Sequence, residues 1–527
     1  MKTIATGVFS FNKFIEQDNL YVDKTMYAYR LAKDRRKLFF LSRPRRFGKS
    51  LFCSMLHSLF EGNRKLFKGL YIDNTDYSFE SYPVIHLDFS GLDNKREDNL
   101  LLSLSAMLKH EAQRYGITLE GNTIAMQMDS LFYEFQKQGK EIVLLIDEFD
   151  APFTSKITDS PSFSENIKLS FNTFYQAIKK HSGMLRFLLI TGVVKLANLS
   201  IFSAMNNLAD ISMEPRYASI LGYTEEEFEE YFGEGIDEQI NENVSREQFI
   251  GKVKAYYDGY RFSPDSDVTV YNPVSIGAFF NNDCRFRNYW DMTGVSTLAV
   301  NLAVSTNLSN LLDTTCPTSL SAFYTFDLSN LQSGKLSRKD VLSLLYFSGY
   351  LTIQDFDDPI IYLGFPNREV AGSFSLNLLS RYSTEDTSDF EIWVKEFRKA
   401  CRNGDEKNAR EKIEEYFNAF SYDLIGKNDE KFFHSIFHAI FVIAGMQAIS
   451  EDRGLRGRAD EVIIEGDYIW IFELKVDGSA ADALRQIEEK GYEKKYSYLK
   501  TESTKVLKVG ISFSSETKKV SEWKCIS

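Results

Sequence analysis

Cysteine is scarce in this sequence and is never arranged in pairs. The five cysteines stand singly, and no C-x-x-C motif occurs that could begin a zinc site or a disulfide framework. We therefore expect reduced thiols, many of them buried, rather than a disulfide-stabilised secreted fold. Proline and glycine are also sparse, at 10 and 30 of the 527 residues, which excludes a collagen-like or low-complexity chain.

Long hydrophobic runs are missing as well. The purely apolar stretches, such as 142–146 and 187–190, are far shorter than the roughly 18 residues that a membrane helix needs. The first residues lack the apolar core and the cleavage site of a secretory signal. We therefore predict a cytoplasmic protein without a membrane partner. At roughly 100 to 200 residues per domain, the chain length predicts about three or four domains.

An excess of positive charge is absent. The net charge of −12 argues against a protein that coats nucleic acid by bulk electrostatics, because such binding scales with the phosphates that Lys and Arg neutralise. Any contact with nucleic acid must then be local, and the basic segments 33–46 and 490–527 are the candidates. An ordinary solvated surface is the alternative interpretation of both segments.

The first half of the chain alternates strand-like and helix-like segments. Apolar runs near 37–42, 82–89, 141–147 and 185–191 predict strands, and apolar residues at helical spacing predict helices between them. This alternation is typical of an α/β fold with a parallel sheet, which binds ligands beyond the carboxyl ends of its strands. We expect the strand at 82–89 to lie between the first strand and the strand at 141–147, as in additional-strand ATPases.

The second half of the chain is organised differently. Helical patterns dominate after 223, and the order helix, strand, turn, strand, helix over 339–382 resembles a winged-helix unit. A polar break at 426–429 precedes a compact α/β module with the predicted order helix, strand, strand, helix, strand. We predict three domains, namely an ATPase-like domain over 1–222, a helical lid and winged-helix connector over 223–425, and a last α/β domain over 426–527.

A candidate phosphate loop follows the first predicted strand. Gly48, Lys49 and Ser50 form G-K-S at the start of a helix, where backbone N–H groups can point at phosphates. Lys49 would meet the β- and γ-phosphates of ATP and Ser50 would coordinate Mg²⁺, although Arg43 replaces the usual first glycine. The expected nucleotide-binding residues are Arg43, Pro44, Arg45, Arg46, Phe47, Gly48, Lys49, Ser50, Leu51 and Thr191.

Two adjacent acids support this interpretation. The apolar strand at 141–147 ends in Asp147 and Glu148. Asp147 is suited to hold Mg²⁺, and Glu148 is suited to polarise the attacking water. Thr191, at the end of the fourth strand, is expected to be a polar sensor near the γ-phosphate or a plain strand-end cap.

No arginine finger can be assigned from a motif. Arg186, Arg216 and Arg261 are candidates by location only. Because a neighbouring subunit commonly supplies this arginine, we expect a homo-oligomer.

A second cluster of charged residues lies near the C-terminus. Alternation along a strand places Glu473 and Lys475 on one face, and a hairpin at 465–467 can bring Asp460 beside them. Asp460, Glu473 and the carbonyl of Leu474 are expected to hold Mg²⁺ or Mn²⁺. Lys475 would orient the attacking water or help to deprotonate it.

His434 and His438 stand at i and i+4, a spacing that suits zinc. Their neighbours are largely apolar and no H-E-x-x-H motif is present. A buried helix is therefore the favoured interpretation of this segment.

Several strings of the sequence resemble a known family over nearly the whole chain. They are RPRRFGKSL, YVDKT, LLIDEFDAP, FLLITGVVKL, YYDGYRF, VYNPVSIGAFF and FPNREV. They resemble the bacterial AAA-ATPase-like family with a C-terminal PD-(D/E)XK nuclease-like domain, in which Arg43 belongs to the RPRRFGKS form. The GR-D, FELK and A-x-x-QI strings match its nuclease domain.

This resemblance implies a restriction-endonuclease-like fold for 426–527. It also implies a helix that carries Gln486, Tyr492 and Tyr496 beside the metal site. The remaining acid of such a site is left open, because Glu430 and Glu451 both fit.

The residues and the resemblance together predict an ATP-binding and ATP-hydrolysing enzyme coupled to a metal-dependent nuclease. Its expected partners are nucleotide and DNA, with RNA as the other substrate class, in defence against foreign nucleic acid or in its processing. The alternative is a signalling or scaffold ATPase whose C-terminal module binds nucleic acid or protein without cleavage. The expected catalytic residues are Glu148, Asp460, Glu473, Lys475 and Gln486.

Overall fold

The computed structural model describes residues 2–93, 96–154, 165–195, 205, 207–290, 315–323, 337–382, 387–418, 430–444, 446–454, 457–493 and 503–527. The chain divides into two compact units, of which one comprises 1–289 with 317–366 and the other 290–316 with 367–527. The domain boundaries at 222 and 425 stay predictions. Among the described helices, none combines the length and the apolar character needed to cross a membrane.

The first unit is built on a five-stranded parallel sheet. Its strands are β1 Leu38–Ser42, β2 Val84–Asp88, β3 Ile142–Asp147, β4 Leu185–Gly192 and β5 Ala209–Asp210. Their order across the sheet is β2-β3-β4-β1-β5, and every neighbouring pair is parallel. All residues of β1 and β3 are buried, as their continuous apolar sequences predict.

One expectation about this sheet is wrong. β2 does not lie between the phosphate-loop strand β1 and the acidic strand β3. β4 takes that central position, and β2 pairs with the outer side of β3. The strand order depends on which edge each helical crossover reaches, and the order of the strands along the chain leaves that choice open.

Helices connect the strands of the first unit and continue beyond the sheet. They are α1 Phe11–Glu16, α2 Thr25–Lys33, α3 Lys49–Phe60, α4 Glu97–Gln113, α5 Ile124–Lys137, α6 Ala151–Thr154, α7 Glu165–Lys180, α8 Glu225–Asp237, α9 Arg246–Tyr257, α10 Pro273–Asn281, α11 Leu320–Phe323 and α12 Arg338–Ser348. Short strands are β6 Tyr260–Arg261, β7 Thr269–Val270 and β8 Cys316–Ser319. The helices that the sequence predicted between β2 and β4 are confirmed.

α8, α9 and α10 form a small helical cluster after the sheet. Reciprocal capping boxes begin α8, at Thr224 and Glu227, and α9, at Ser245 and Gln248, which satisfies N–H groups that a helix start leaves open. The three helices share an apolar core that is rich in aromatic rings. The predicted helical region after 223 is therefore confirmed.

The predicted order of the winged-helix-like region is also confirmed. After α12, the strands β9 Thr352–Asp357 and β10 Ile360–Gly364 form an antiparallel hairpin. The next helix, α13, covers Arg368–Tyr382. The division between the two units falls after residue 366, so the hairpin belongs to the first unit and α13 to the second.

The second unit contains a mixed five-stranded sheet. Its strands are β11 Gln447–Gly454, β12 Gly457–Glu465, β13 Tyr468–Val476, β14 Lys505–Phe513 and β15 Val520–Ile526, in that order across the sheet. β13 and β14 are parallel and the other pairs are antiparallel. Its other helices are α14 Thr387–Asn403, α15 Glu406–Asn418, α16 Glu430–Ile443 and α17 Ala480–Lys490.

α17 connects the parallel strands β13 and β14 and packs closely on the sheet. A Cβ atom added at Gly510 would lie 2.2 Å from the carbonyl oxygen of Ala480 and 3.0 Å from the nitrogen of Leu484. Only glycine allows the helix backbone to approach β14 this closely. On the other face, Phe437 and Phe441 of α16 pack against Phe472 of β13.

A glycine at the end of β4 provides a test of packing in the first unit. A Cβ atom at Gly192 would lie 2.5 Å from two ring carbons of Phe149 and 2.7 Å from a carboxylate oxygen of Asp150, and both side chains are buried. We expect Gly192→Ala to lower the free energy of unfolding by about 1 to 3 kcal/mol, the cost of overpacking. Urea denaturation measures this change.

The matched control is Gly251→Ala in α9, where an added Cβ meets nothing within 4 Å. Alanine should raise stability there by up to about 1 kcal/mol through helix propensity. Equal effects of the two substitutions would contradict the packing described at Gly192.

Candidate functional site

The loop between β1 and α3 has the backbone that a phosphate site needs. Arg46 and Gly48 both have positive φ angles, of 68° and 91°. α3 begins at Lys49, directly after Gly48, so its free N–H groups lie at the mouth of the loop. A helix N-terminus with such N–H groups binds phosphate readily. The predicted position of the loop is confirmed.

Lys49 lies across this loop rather than in solvent. The residue is buried, and its Nζ donates to the main-chain carbonyls of Arg43 and Pro44 at 3.1 Å each. The ammonium group is thereby held at the loop, where its charge can reach a bound phosphate.

Two predicted nucleotide-binding side chains have other partners. The buried guanidinium of Arg43 donates to the carbonyls of Ser212 at 2.7 Å and Tyr217 at 2.9 Å. The ring of Phe47 is buried and lies edge-on to the ring of Tyr260, with centroids 4.8 Å apart. These side chains anchor the loop, so what Arg43 and Phe47 can offer a nucleotide is their main chain.

The acids at the end of β3 meet the end of β4. The buried carboxylate of Asp147 accepts hydrogen bonds from the hydroxyl of Thr191 and, at 3.1 Å, from the main-chain N–H of Glu148. Burial raises the pKa of Glu148 and the charge of Asp147 raises it further, while Lys49 opposes the shift. The four predicted groups therefore converge at the carboxyl ends of the central strands.

Asp150 is a further part of this site that the sequence interpretation missed. It is 1% exposed, and its two oxygens accept from the main-chain N–H groups of Val193 at 3.0 Å and Val194 at 2.8 Å. Burial raises the pKa of its carboxyl, and these two N–H groups oppose the shift. Asp150 thus fixes the turn after β4. The second aspartate of the D-E-F-D string was its only signal in the sequence.

A pocket beside the phosphate loop also escaped the sequence interpretation. It is open to solvent and lies against Gly48 and α3. Its lining joins the segment before α2 to the residues just before α8 and to the first residue of α10. The lining residues are mainly apolar and include Tyr21, Val22, Phe52, Leu221, Tyr223 and Pro273.

The three candidate finger arginines all have hydrogen-bond partners outside the loop. Arg186 donates to the carbonyl of Ala32 at 3.0 Å, and Arg216 binds the carboxylate of Glu214 at 2.7 Å. Arg261 donates to main-chain carbonyls of its own loop, among them Ser266 at 2.7 Å. The source of an arginine finger stays open.

The residues predicted for the C-terminal site come together on one face of the second sheet. The pairing of β12 with β13 sets Glu473 beside Asp460, whose Oδ2 accepts from the Leu474 N–H at 2.7 Å. Lys475 Nζ lies 3.5 Å from Glu473 Oε1. Gln486, which α17 holds over the sheet, donates to the same Oε1. The predicted convergence is therefore present.

The electrostatics of this face suit a cation. Glu473 is 1% exposed, and burial together with the charge of Asp460 raises its pKa to about 8, against the influence of Lys475. Its Oε2 is buried and has no hydrogen-bond partner among the described residues. Mg²⁺ and Mn²⁺ bind carboxylate oxygens, so this donor set fits the divalent ion that the sequence predicted.

Other residues of the predicted site are described in part. Tyr492 is buried and is hydrogen-bonded to Gln486. Tyr496 lies outside the described residues, as do the side chains of Glu430 and Glu451. The strand register pairs Ser450 with Glu461 and Asp452 with Ala459, which places position 451 opposite position 460. The choice between Glu430 and Glu451 stays open, although this register favours Glu451.

His434 and His438 bind different partners. His434 Nε2 lies 2.5 Å from the carbonyl oxygen of Asp460, and His438 Nδ1 lies 2.8 Å from Glu461 Oε2. Both histidines are buried in α16, so the interpretation of this segment as a buried helix is confirmed.

Comparison with known proteins identifies two regions of the chain. Residues 5–202 match the AAA-ATPase-like family model, described as predicted AAA-ATPase, and residues 428–523 match the PD-(D/E)XK nuclease superfamily. A protein of Azotobacter chroococcum mcd 1, named "Uncharacterized protein in vnfD 5'region", is 30% identical over 537 residues. The match covers 98% of each chain.

Two solved structures show weak likeness. Cdc6p from Pyrobaculum aerophilum shares 12% identity, with 72% of this chain and 100% of that chain covered and a TM-score of 0.25. The ORC2 protein of Aeropyrum pernix shares 11% identity, with coverages of 65% and 87% and a TM-score of 0.24. With such low TM-scores, the assignment of both regions depends on the family models and on the strand order described above.

The raised pKa of Glu473 predicts proton-linked metal binding. With a pKa of about 8, this carboxyl is largely protonated at neutral pH in the metal-free protein, and it must lose its proton to bind a cation. We expect Mn²⁺ affinity to rise with pH up to about 8, with proton release on binding. By the same linkage, metal-free protein should lose stability as pH rises from about 4.5 to 8.

Titration calorimetry in two buffers of different ionisation enthalpy measures the released protons. Glu473→Gln is the control, because it keeps the shape but has no proton to release. An affinity that does not change between about pH 6 and 8 would contradict the raised pKa.

Proposed function

We propose that this chain, which belongs to the AAA-ATPase-like family with a C-terminal PD-(D/E)XK nuclease-like domain, hydrolyses ATP and couples nucleotide state to metal-dependent cleavage of nucleic acid. The observation that carries the nuclease part is the buried Glu473 oxygen, which has no partner in the described part of the chain and lies beside Asp460 and Lys475. An ordinary surface ion-pair cluster would leave both carboxylates in water.

The proposed nucleotide site uses groups that converge at the carboxyl ends of β1, β3 and β4. The N–H groups at the start of α3 and the ammonium of Lys49 would bind the phosphates. Ser50 and Asp147 would hold Mg²⁺, which neutralises phosphate charge when it is bound. Glu148 would accept a proton from the attacking water. Its raised pKa makes it a better base once it is ionised.

The pocket beside Gly48 is the proposed position of the nucleobase. Its apolar lining and its position next to the phosphate loop suit a flat heterocycle whose phosphates extend toward Lys49. The residues just before α8 and the first residue of α10 belong to this lining. A bound nucleotide would therefore contact both the parallel sheet and the helical cluster of the first unit.

In the proposed nuclease site, Asp460, Glu473 and the carbonyl of Leu474 would hold Mg²⁺ or Mn²⁺. The bound ion supplies a Lewis acid for the scissile phosphate. Lys475 would orient the attacking water or take its proton, and Gln486 would keep the Glu473 carboxylate in position. We also propose Glu451 as the further acid, since the register places it opposite Asp460.

The remaining proposals concern the substrate, the cellular role and the assembly of this protein. We propose DNA as the substrate, with RNA as the other nucleic-acid class, and a cytoplasmic role in defence against foreign nucleic acid or in its processing. We further propose nucleotide-dependent assembly of several copies, because the three candidate arginines have other partners. Light scattering with and without a non-hydrolysable ATP analogue tests the assembly.

The ATPase proposal predicts different effects for two substitutions. Lys49→Ala should abolish ATP binding, because the charge that balances the phosphates is lost. Glu148→Gln should bind ATP but turn it over about 10²- to 10⁴-fold more slowly, since the amide cannot accept a proton. Calorimetry measures binding and phosphate release measures turnover.

Glu134→Gln provides a matched control, because Glu134 pairs with Lys137 on the outside of α5 and should behave like wild type. Normal ATP affinity in Lys49→Ala would refute the proposed nucleotide site.

The nuclease proposal predicts that substitutions in the C-terminal site abolish cleavage without unfolding the protein. Lys475→Ala should stop cleavage while Mn²⁺ binding, stability and ATP turnover persist. Asp460→Asn should lose Mn²⁺ affinity as well as cleavage. Cleavage of plasmid and of single- and double-stranded DNA and RNA, with Mg²⁺ or Mn²⁺ and with or without ATP, measures these effects.

Lys407→Ala, at an 82% exposed lysine of α15, is the control and should cleave normally. Full activity in Lys475→Ala would move the active site elsewhere. No cleavage by wild type under any condition would favour the scaffold alternative.

A further inference from the structure

Three potential metal ligands of different kinds meet beside the nucleotide site. A ligand atom from each of Cys53 in α3, His86 in β2 and Asp147 at the end of β3 lies within 4.8 Å of the other two. Among the described residues, no other group of three such side chains comes this close. The three belong to separate elements, so the fold itself brings them together.

This cluster lies in the protein interior, where polar ligand atoms without a partner cost free energy. Cys53 is 0% exposed and Asp147 is 1% exposed. The Nε2 atom of His86 is buried and has no hydrogen-bond partner among the described residues. Burying a polar nitrogen without a partner costs free energy, which coordination of a metal would recover.

The chemistry of the three ligands selects a particular class of ion. Thiolate and imidazole together are the ligands of zinc and of similar borderline or soft ions. Mg²⁺ prefers an oxygen environment and keeps several waters. The set Cys53, His86 and Asp147 therefore differs from the oxygen set that would serve ATP, yet the two sets share Asp147.

We propose that Cys53, His86 and Asp147 bind a zinc-type divalent ion, and that this ion inhibits ATP turnover by withdrawing Asp147 from the magnesium of the nucleotide. On binding, the Cys53 thiol gives its proton to solvent and its sulfur coordinates the metal. The binding site is independent of the ATPase proposal, while the inhibition rests on it.

The spacing of the three ligand atoms is compatible with this proposal. Zinc bonds of about 2.0 to 2.3 Å in a tetrahedron set ligand atoms about 3.3 to 3.8 Å apart. The observed limit of 4.8 Å requires the side chains to close by roughly 1 Å, within the reach of small χ rotations. Rotation of the Asp147 carboxylate would break its hydrogen bond with Thr191.

Cobalt spectroscopy of the full chain tests the binding site. Co²⁺ replaces Zn²⁺ in such sites, and a thiolate ligand produces a charge-transfer band in the near ultraviolet that oxygen ligands do not produce. We expect one Co²⁺ per chain with this band, displaced by Zn²⁺. Cys53→Ala and His86→Phe should weaken Co²⁺ binding at this site by at least about tenfold. Cys284→Ser is the matched control and should keep the band.

The variants must be folded for this comparison. His86→Phe keeps a ring beside His57, whose centroid lies 5.7 Å from that of His86, and circular dichroism checks both variants. A wild-type spectrum without the thiolate band, or a band that persists in Cys53→Ala, would overturn the site.

Measurement of ATP turnover in the presence of zinc tests the proposed inhibition. Zinc should lower turnover in wild type and in Cys284→Ser, and should do so at least about tenfold less potently in Cys53→Ala. Equal inhibition of wild type and Cys53→Ala would overturn the regulation. If wild type hydrolyses no ATP without zinc, the ATPase proposal and the inhibition both fail, and the cobalt spectra still decide the metal site.

Discussion

Both sites of this protein are built around buried carboxylates. Each of these carboxylates needs hydrogen-bond donors or a cation nearby. Asp147, Asp150 and Glu473 are each 1% exposed, and an ionised carboxylate without a counter-charge or hydrogen-bond donors is strongly disfavoured in such surroundings. Around Asp150 the fold supplies two main-chain N–H groups. Around Glu473 it supplies Gln486 and Lys475, both at the same oxygen. The turn after β4 and the helix α17 thus lie where they supply donors to these carboxylates.

The phosphate loop shows how an arginine is accommodated at the position where the usual motif has its first glycine. Arg43 stands where the usual loop motif has glycine, and its guanidinium lies 4.2 Å above the ring of Phe262 while it donates to Ser212 and Tyr217. The buried guanidinium of Arg43 therefore holds the loop in one conformation, where a glycine would leave the backbone more conformational freedom. Arg46 in turn adopts a left-handed backbone, a conformation that costs a side chain more than it costs glycine.

Much of both sites could be predicted from the sequence because local patterns determine it. Asp147 and Thr191 stand at the ends of apolar strands, and Lys49 begins the helix that follows another. Parallel strands bring such ends to one edge of the sheet. The position of β2 was wrong and Asp150 was missed, since both depend on contacts between distant segments. The strand β11 was also missed, because its sequence QAISEDRG lacks the apolar alternation of a typical strand.

The contact at Gly510 fixes the distance between α17 and the sheet at the nuclease-like face. The α17 backbone approaches β14 so closely that even a methyl group would overlap it, and Gly510 pairs in register with Glu473. The height of Gln486 above the carboxylate is therefore set by two backbones and not by adjustable side chains. A side chain at position 510 would therefore displace the helix that carries Gln486, whereas a change at an exposed position of α17 would leave the spacing between helix and acid as it is.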